Sequence, residues 1–107
     1  MMAGTMCTDL CAERLVILST NDTHSQIVPD AANQGGILRR RALVDSIRGA
    51  EKNVLLLDAG DAVQGTVFFN MFRGEVEFAM LDSLGYDAYI MGNHEFDNGM
   101  EILSGLY

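Results

Sequence analysis

The stretch VLLLDAGD, residues 54–61, joins a short apolar run to a polar turn. Four consecutive apolar residues are typical of a strand that is buried on both faces, as the strands of parallel sheets are. The same arrangement comes earlier, where LVIL at 15–18 leads to NDTH at 21–24, and later, where DAYIM at 87–91 leads to GNHE at 92–95. These three units predict three strands of one parallel sheet.

Helical patterns lie between these strands. The first begins after Gly35 and Gly36 and ends at Gly49, with apolar residues broadly on one side, namely Ile37, Leu38, Val44 and Ile47. After a loop containing Gly65, the second runs from about Gly74 to Leu84 and is expected to bury Val76, Phe78, Met80, Leu81 and Leu84. A last helix begins near Asp97 or Asn98. The alternation predicts an α/β fold, a parallel strand-helix-strand-helix-strand unit.

The composition limits the classes of partner. The chain has 107 residues, enough for one small domain, with 49% hydrophobic residues and a net charge of -8. This charge argues against binding to a nucleic-acid backbone, which requires clustered Lys and Arg. The only basic run, at 39–41, is interpreted as the solvated face of a helix. No segment approaches the ~20 apolar residues needed to cross a bilayer, so we expect no membrane partner.

Residues 1–13 form an irregular leader in this interpretation. They contain no Lys or Arg and no continuous apolar stretch, and therefore lack the pattern of a secretory signal. The cellular location stays open. Cys7 and Cys11 are interpreted as free thiols, because two cysteines without nearby histidines are a weak metal signal.

Polar side chains follow each predicted strand. Asp22 and His24 follow the first strand, Asp61 follows the second, and Asn93 and His94 follow the third. A single Asp in such a place is usually a turn former, but three corresponding clusters at the ligand-binding edge of a parallel sheet favour a metal site. Asp and His suit zinc, manganese or iron. We expect an extended backbone to point the first two side chains the same way, with glycines allowing sharp turns before the other two clusters.

The motifs NDTH at 21–24, GDAVQG at 60–65 and GNHEFDNG at 92–99 resemble the opening motifs of calcineurin-like metallophosphoesterases. The most similar branch is the 5′-nucleotidase / 2′,3′-cyclic phosphodiesterase family, which GG at 35–36 and LDAGD at 57–61 also resemble. The resemblance covers residues 14–107. It implies the N-terminal part of a metallophosphoesterase α/β sandwich, truncated in this chain.

The resemblance also implies roles for individual residues. Two divalent metal ions, Zn or Mn, would be held by Asp22 and His24 at the first position, by Asn93 at the second, and by Asp61 between them. His94 would face the substrate and protonate the leaving alkoxide, with Asp97 orienting its imidazole. Three further residues are expected to have supporting roles. Glu95 would hold the turn through hydrogen bonds, Asp58 would be a turn residue or a group that contacts a metal ligand, and Gln64 would either stabilise its loop or line the site.

The implied activity is the hydrolysis of a phosphate ester, in which a metal-bound hydroxide attacks a substrate that is expected to be a nucleotide. Both histidines of the chain are already assigned, so the second ion would have only Asp61 and Asn93 as ligands. Zinc sites normally have three or four protein ligands. A missing C-terminal part or a second chain would therefore be needed to supply the others. The alternative is a non-catalytic metal- or phosphate-binding module left by truncation. A dinucleotide-binding domain is set aside, because Gly-x-Gly-x-x-Gly does not follow the first strand.

Overall fold

The computed structural model describes residues 13–106, so the predicted leader with Cys7 and Cys11 lies outside the described residues except for Glu13. The regular elements follow in chain order: β1 (Val16–Thr20), α1 (Ile37–Ala50), β2 (Val54–Asp58), α2 (Val67–Phe72), α3 (Glu75–Leu84), β3 (Ala88–Tyr89), a 3₁₀ turn (His94–Phe96) and α4 (Met100–Leu106). Within the described part of the chain, no helix is both long and apolar enough to span a bilayer.

The three strands form one parallel sheet in the order β1-β2-β3. The register pairs Val16 with Val54 at one end of β1 and Thr20 with Asp58 at the other. This arrangement confirms the predicted α/β fold. The third strand is shorter than the predicted 87–91, since only Ala88 and Tyr89 pair with β2 as strand residues. The Ile90 N–H still donates to the Asp58 carbonyl, but β2 ends there, and the chain turns towards Gly92.

Helix α1 forms where the sequence predicts it, but fewer of its apolar side chains are buried than expected. Val44 is its one buried residue, whereas Leu38 is 83% exposed although the pattern placed it on the apolar side. The prediction was wrong because α1 contacts the core along one narrow stripe. The helix also continues through Gly49 to Ala50, with the Glu51 N–H donating to the Ile47 carbonyl. Gly49 therefore does not end it.

Helix α2 occupies part of the segment that was predicted as a loop. Thr66 begins it, because its hydroxyl accepts a hydrogen bond from the Phe68 N–H at 3.3 Å, as N-cap residues do. It ends after one and a half turns at Arg73, whose φ of 55° is left-handed. A threonine cap on so short a helix is a local signal that the hydrophobic pattern alone did not reveal.

Helix α3 matches its prediction in extent and ends at the left-handed Gly85. Phe78, Leu81 and Leu84 are buried as expected, whereas Val76 and Met80 are only half-buried. The face turned to the core is therefore rotated slightly from the predicted one, and it places the acidic Glu77 inside at 3% exposure. The last helix begins at Met100, later than predicted, because a 3₁₀ turn first takes up residues 94–96.

The core consists of two adjoining clusters. One joins α1, β2 and α3 through Val44, Leu56 and Leu84. The other lies under the loop after β2 and comprises Ala62, Val63, Phe78, Leu81 and Leu103. Helix α3 contributes to both clusters, so it links the sheet to the loop that carries the predicted metal ligand Asp61.

A pair of leucine substitutions tests this packing. Leu56→Ala is expected to lower the free energy of unfolding by about 2–5 kcal/mol, because Leu56 is 1% exposed and its loss opens a cavity between the sheet and two helices. Leu38→Ala is the matched control and is expected to change that free energy by less than about 0.5 kcal/mol. Urea unfolding followed by circular dichroism measures both. Equal losses in the two variants would contradict the described packing of α1.

Candidate metal centre

The loops after β1 and β2 run side by side through backbone hydrogen bonds. The Asp22 N–H donates to the Gly60 carbonyl at 2.9 Å, and the His24 N–H donates to the Asp61 carbonyl at 3.0 Å. The Ser25 N–H donates to the Ala62 carbonyl at 2.8 Å. The pairing of the sheet thus extends into the loops, which holds the first two polar clusters at the same edge.

Three predicted metal ligands meet at this edge. Asp22, His24 and Asp61 each offer one ligand atom, and these atoms all lie within 4.8 Å of one another. His24 Nε2 is 3.8 Å from Asp22 Oδ1. Oxygen and nitrogen ligands sit about 2.0–2.2 Å from a zinc-like ion, so a pair sharing one ion lies roughly 3–4 Å apart. Two carboxylates and an imidazole at this spacing fit a divalent transition metal or zinc ion.

The backbone that presents these ligands is left-handed, not extended. The φ angles are 52° at Asp22, 44° at His24 and 55° at Asp61. The expectation of an extended Asp-x-His segment was therefore wrong. Left-handed residues let the loop after β1 turn back while its N–H groups stay bonded to the loop after β2. Such conformations cost free energy in residues other than glycine and often occur at functional sites.

Gly60 and Gly92 bring the second and third loops into direct contact. A Cβ on Gly60, whose φ is 102°, would lie 2.6 Å from the Gly92 nitrogen. A Cβ on Gly92 would lie 2.1 Å from Asp61 Oδ1. Both distances are far shorter than real Cβ contacts, so glycine is required for this approach.

Glu95 fastens the same two loops. Its buried carboxylate accepts hydrogen bonds from the N–H groups of Asp61 at 3.0 Å, Ala62 at 2.7 Å and Gly92 at 2.6 Å. Glu95 therefore holds the turn, as predicted. Hydrogen bonds to a charged carboxylate are stronger than neutral ones, and three of them fix the backbone around Asp61.

The third cluster lies against Asp61. The His94 N–H donates to Asp61 Oδ1 at 3.0 Å, and the His94 ring approaches the His24 ring edge-on with centroids 5.3 Å apart. Asn93, which immediately precedes His94, is exposed. All three strand-end clusters therefore meet at one edge of the sheet. The predicted role of Asn93 as a metal ligand stays a prediction.

His94 and Asp97 form a hydrogen-bonded pair. His94 Nδ1 is 2.8 Å from Asp97 Oδ2, and both side chains remain partly exposed. The hydrogen bond to Asp97 raises the pKa of His94, and the negative charges of Asp97, Asp61 and Glu95 add to this while partial burial opposes it. The pair thus favours a protonated imidazole next to the ligand cluster.

Comparison with known proteins identifies the family. The family model described as calcineurin-like phosphoesterase matches residues 15–107. The chain belongs to the calcineurin-like phosphoesterase family. A human 5′-nucleotidase is 44% identical over 100 residues, which cover 84% of this chain and 17% of that protein. This chain thus spans about a sixth of the length of the curated relatives it matches.

Superposition on solved structures shows that the fold is that of related nucleotidases. A 5′-nucleotidase precursor from Thermus thermophilus superimposes with a TM-score of 0.80 and 40% identity, covering 86% of this chain and 20% of that one. The NAD nucleotidase from Haemophilus influenzae gives a TM-score of 0.78 at 36% identity, covering 86% and 18%. The described part of this chain therefore has the fold of the corresponding region of these proteins.

Two further residues with expected loop roles can be placed in the structure. Asp58 Oδ1 accepts from the Gly60 N–H at 2.9 Å, and Asp58 Oδ2 accepts from the Thr20 hydroxyl at 2.6 Å, so it is a turn residue as predicted. Gln64 is half-buried with a φ of 72°, which places it in the loop leading to Gly65.

Sequence reasoning missed a buried polar group behind the ligands. Ser25, Thr66 and Glu77 come from three separate segments, and the Ser25 hydroxyl contacts both other side chains. Glu77 falls within the amphipathic pattern of α3, where an acidic residue is expected on the solvent side. The one sequence signal is its spacing, because Leu81 and Leu84 follow four and seven residues later and therefore lie on the same face of that helix.

The His94–Asp97 pair can be tested in the metal-free chain. Asp97→Asn removes the charged acceptor that stabilises the imidazolium, so the pKa of His94 is expected to fall towards its ordinary value. The measurement is the pH titration of the His94 Cε1 proton by NMR with EDTA present. Asp45→Asn, which alters an exposed carboxylate paired with Arg41, is the control and should leave that pKa unchanged. An unchanged pKa in Asp97→Asn would refute the pair.

Proposed function

We propose that this chain supplies the metal-binding and proton-donating residues of a metal-dependent phosphoester hydrolase. One observation carries the proposal: Asp22, His24 and Asp61 gather beside an imidazole that is itself bonded to a carboxylate. Metal ligands next to a positioned acid are what the cleavage of a phosphate ester requires. Membership of the calcineurin-like phosphoesterase family supports the same chemistry.

In this proposal Asp22, His24 and Asp61 hold one divalent ion, and Asp61 with Asn93 contributes to a second. The ions, zinc or manganese, supply charge neutralisation at the phosphate and a lower pKa for a coordinated water. Described residues offer two ligands for the second ion, fewer than the three or four of most zinc sites. We therefore expect its remaining ligands to come from residues outside 13–106. The domain assignment is the N-terminal part of a catalytic domain, residues 14–107.

The proposed role of His94 is to hold a proton for the leaving alkoxide. Its Nδ1 is bonded to Asp97, so the opposite nitrogen, Nε2, remains to face a substrate. The raised pKa of His94 keeps more of the imidazole in the donor form. The backbone bond from His94 to Asp61 holds the proton donor at a fixed position relative to the ligands.

The proposed substrates are nucleotides. The relatives at 40–44% identity bear the name 5′-nucleotidase, and one at 36% identity is a NAD nucleotidase. The substrates that these names imply have in common a phosphate ester attached to a nucleoside. The proposed substrate class is therefore the phosphate esters of nucleosides.

Metal binding is the first test of this function. We expect the chain to bind Mn²⁺, and Asp61→Asn to weaken the affinity at least about tenfold, since Asp61 contributes an oxygen to the ligand cluster. Isothermal titration calorimetry measures the affinity, and Asp45→Asn is the control for the loss of one negative charge. Absence of Mn²⁺ binding, or equal affinity in Asp61→Asn, contradicts the proposed site.

Turnover tests the role of His94. In a protein that carries this chain and releases phosphate from AMP, His94→Asn is expected to lower kcat about 10²–10⁴-fold, the range for loss of a general acid. Mn²⁺ affinity should stay as in the wild type, because His94 is not one of the proposed ligands. A variant that keeps the wild-type kcat would show that the proton comes from another group.

A further inference from the structure

Glu77 is a buried carboxylate on a helix that otherwise turns apolar residues to the core. It is 3% exposed, and its neighbours on that face are Phe78, Leu81 and Leu84. Its Oε1 accepts a hydrogen bond from the Ser25 hydroxyl, whereas Oε2 is buried with no hydrogen-bond partner among residues 13–106. Burial of such a group costs free energy that an apolar side chain would avoid. Packing alone therefore does not account for Glu77.

The hydrogen bond that Glu77 accepts belongs to a network that surrounds Ser25. The Ser25 hydroxyl lies 2.6 Å from the Thr66 hydroxyl, which also donates to the Ser25 carbonyl at 3.0 Å. The Ser25 N–H donates to the Ala62 carbonyl at 2.8 Å. Ser25 is 1% exposed and is thus held by α3, by the start of α2 and by the loop after β2.

This network lies directly behind the candidate ligand His24. His24 and Ser25 are consecutive left-handed residues, with φ angles of 44° and 59°. Each such residue costs free energy unless its surroundings enforce the conformation. The contacts that enforce it are those of Ser25, because its side chain and both of its backbone polar groups are bonded to fixed elements.

The imidazole of His24 has two contacts of its own, an edge-on approach to the His94 ring and a distance of 3.8 Å from Nε2 to Asp22 Oδ1, and neither is a hydrogen bond. Metal-binding histidines usually donate their second ring nitrogen to a carboxylate or carbonyl, which fixes the ring. His24 Nδ1 is buried and has no hydrogen-bond partner among the described residues. The direction of Nε2 therefore depends on the backbone turn at 24–25, against which Gly65 also packs closely.

We propose that Glu77 is a positioning residue for His24, acting through Ser25. The bond from the Ser25 hydroxyl to the buried carboxylate keeps the turn left-handed, and the turn aims His24 Nε2 at Asp22 and Asp61. This inference rests on the proposed metal-binding function. It assigns a part in the site to a helix that contributes no ligand.

The test compares four variants of the chain by Mn²⁺ affinity per folded molecule. Glu77→Leu removes the acceptor at similar size, and Ser25→Ala removes the donor. Both are expected to weaken Mn²⁺ binding about 10–100-fold, the range for groups that orient metal ligands. Glu77→Gln keeps an acceptor oxygen for Ser25 and should bind nearly as tightly as the wild type. Leu84→Ala changes a residue of the same helix that packs against Val44 and Leu56. It should lower the stability and leave the Mn²⁺ affinity unchanged.

Amide hydrogen exchange in the metal-free chain gives a second readout that does not require metal. The His24 and Ser25 amides donate to the loop after β2, so Glu77→Leu should speed their exchange relative to that of the β2 residue Leu56. Leu84→Ala should not change this ratio. This ratio of exchange rates can be compared between variants even if Glu77→Leu is less stable overall, because the His24, Ser25 and Leu56 amides are measured in the same molecule.

The outcomes separate the two proposals. A wild-type chain that binds no Mn²⁺ contradicts the proposed function, and the exchange ratio then decides whether Glu77 holds the turn. Wild-type binding with unchanged affinity and exchange ratio in Glu77→Leu overturns the positioning role. Equal loss of affinity in Leu84→Ala would also overturn it, because the effect would then reflect stability alone.

Discussion

Three backbone N–H groups from two loops point at one buried carboxylate, that of Glu95. Through it the loop after β2 is tied to the loop after β3, while parallel backbone bonds tie the loop after β1 to the same place. The missing side chains of Gly60 and Gly92 allow the approach, and the hydrogen bonds to the Glu95 carboxylate, one of them from the Gly92 N–H, hold the loops in contact. Asp61, His94 and the residues around them keep their relative positions because of this anchor.

The ends of the three strands place the polar clusters at one edge of the sheet, and a different set of contacts holds each cluster there. Asp61 is fixed through its own backbone by Glu95, and His94 is fixed through a bond to Asp61 and through Asp97. His24 depends on packing from α3 by way of Ser25. The three clusters therefore have three different kinds of support, although they end three strands of the same sheet.

The strands and the polar clusters could be predicted from the sequence because both are local patterns. Apolar runs such as 54–57 predict strands, and parallel pairing then brings Asp22, Asp61 and His94 to one edge. The expected burial of the strands on both faces was wrong, because the paired residues Ile17 and Leu55 lie on a face of the sheet that is exposed among residues 13–106. The left-handed turns and the burial of Glu77 could not be predicted, since both result from contacts between distant segments. The exposure of Leu38 has the same cause: periodicity gives the side of a helix but not the width of its contact.

The left-handed backbone at the ligands also limits which mutations can accumulate there. Asp22, His24 and Asp61 occupy conformations that Asn, Asp, His and Gly tolerate and that β-branched residues strongly resist. Asparagine or glycine at these positions would therefore preserve the loop conformation, whereas valine or threonine would strain it whatever the site binds. The backbone conformation thus restricts the residue types at these three positions independently of metal binding.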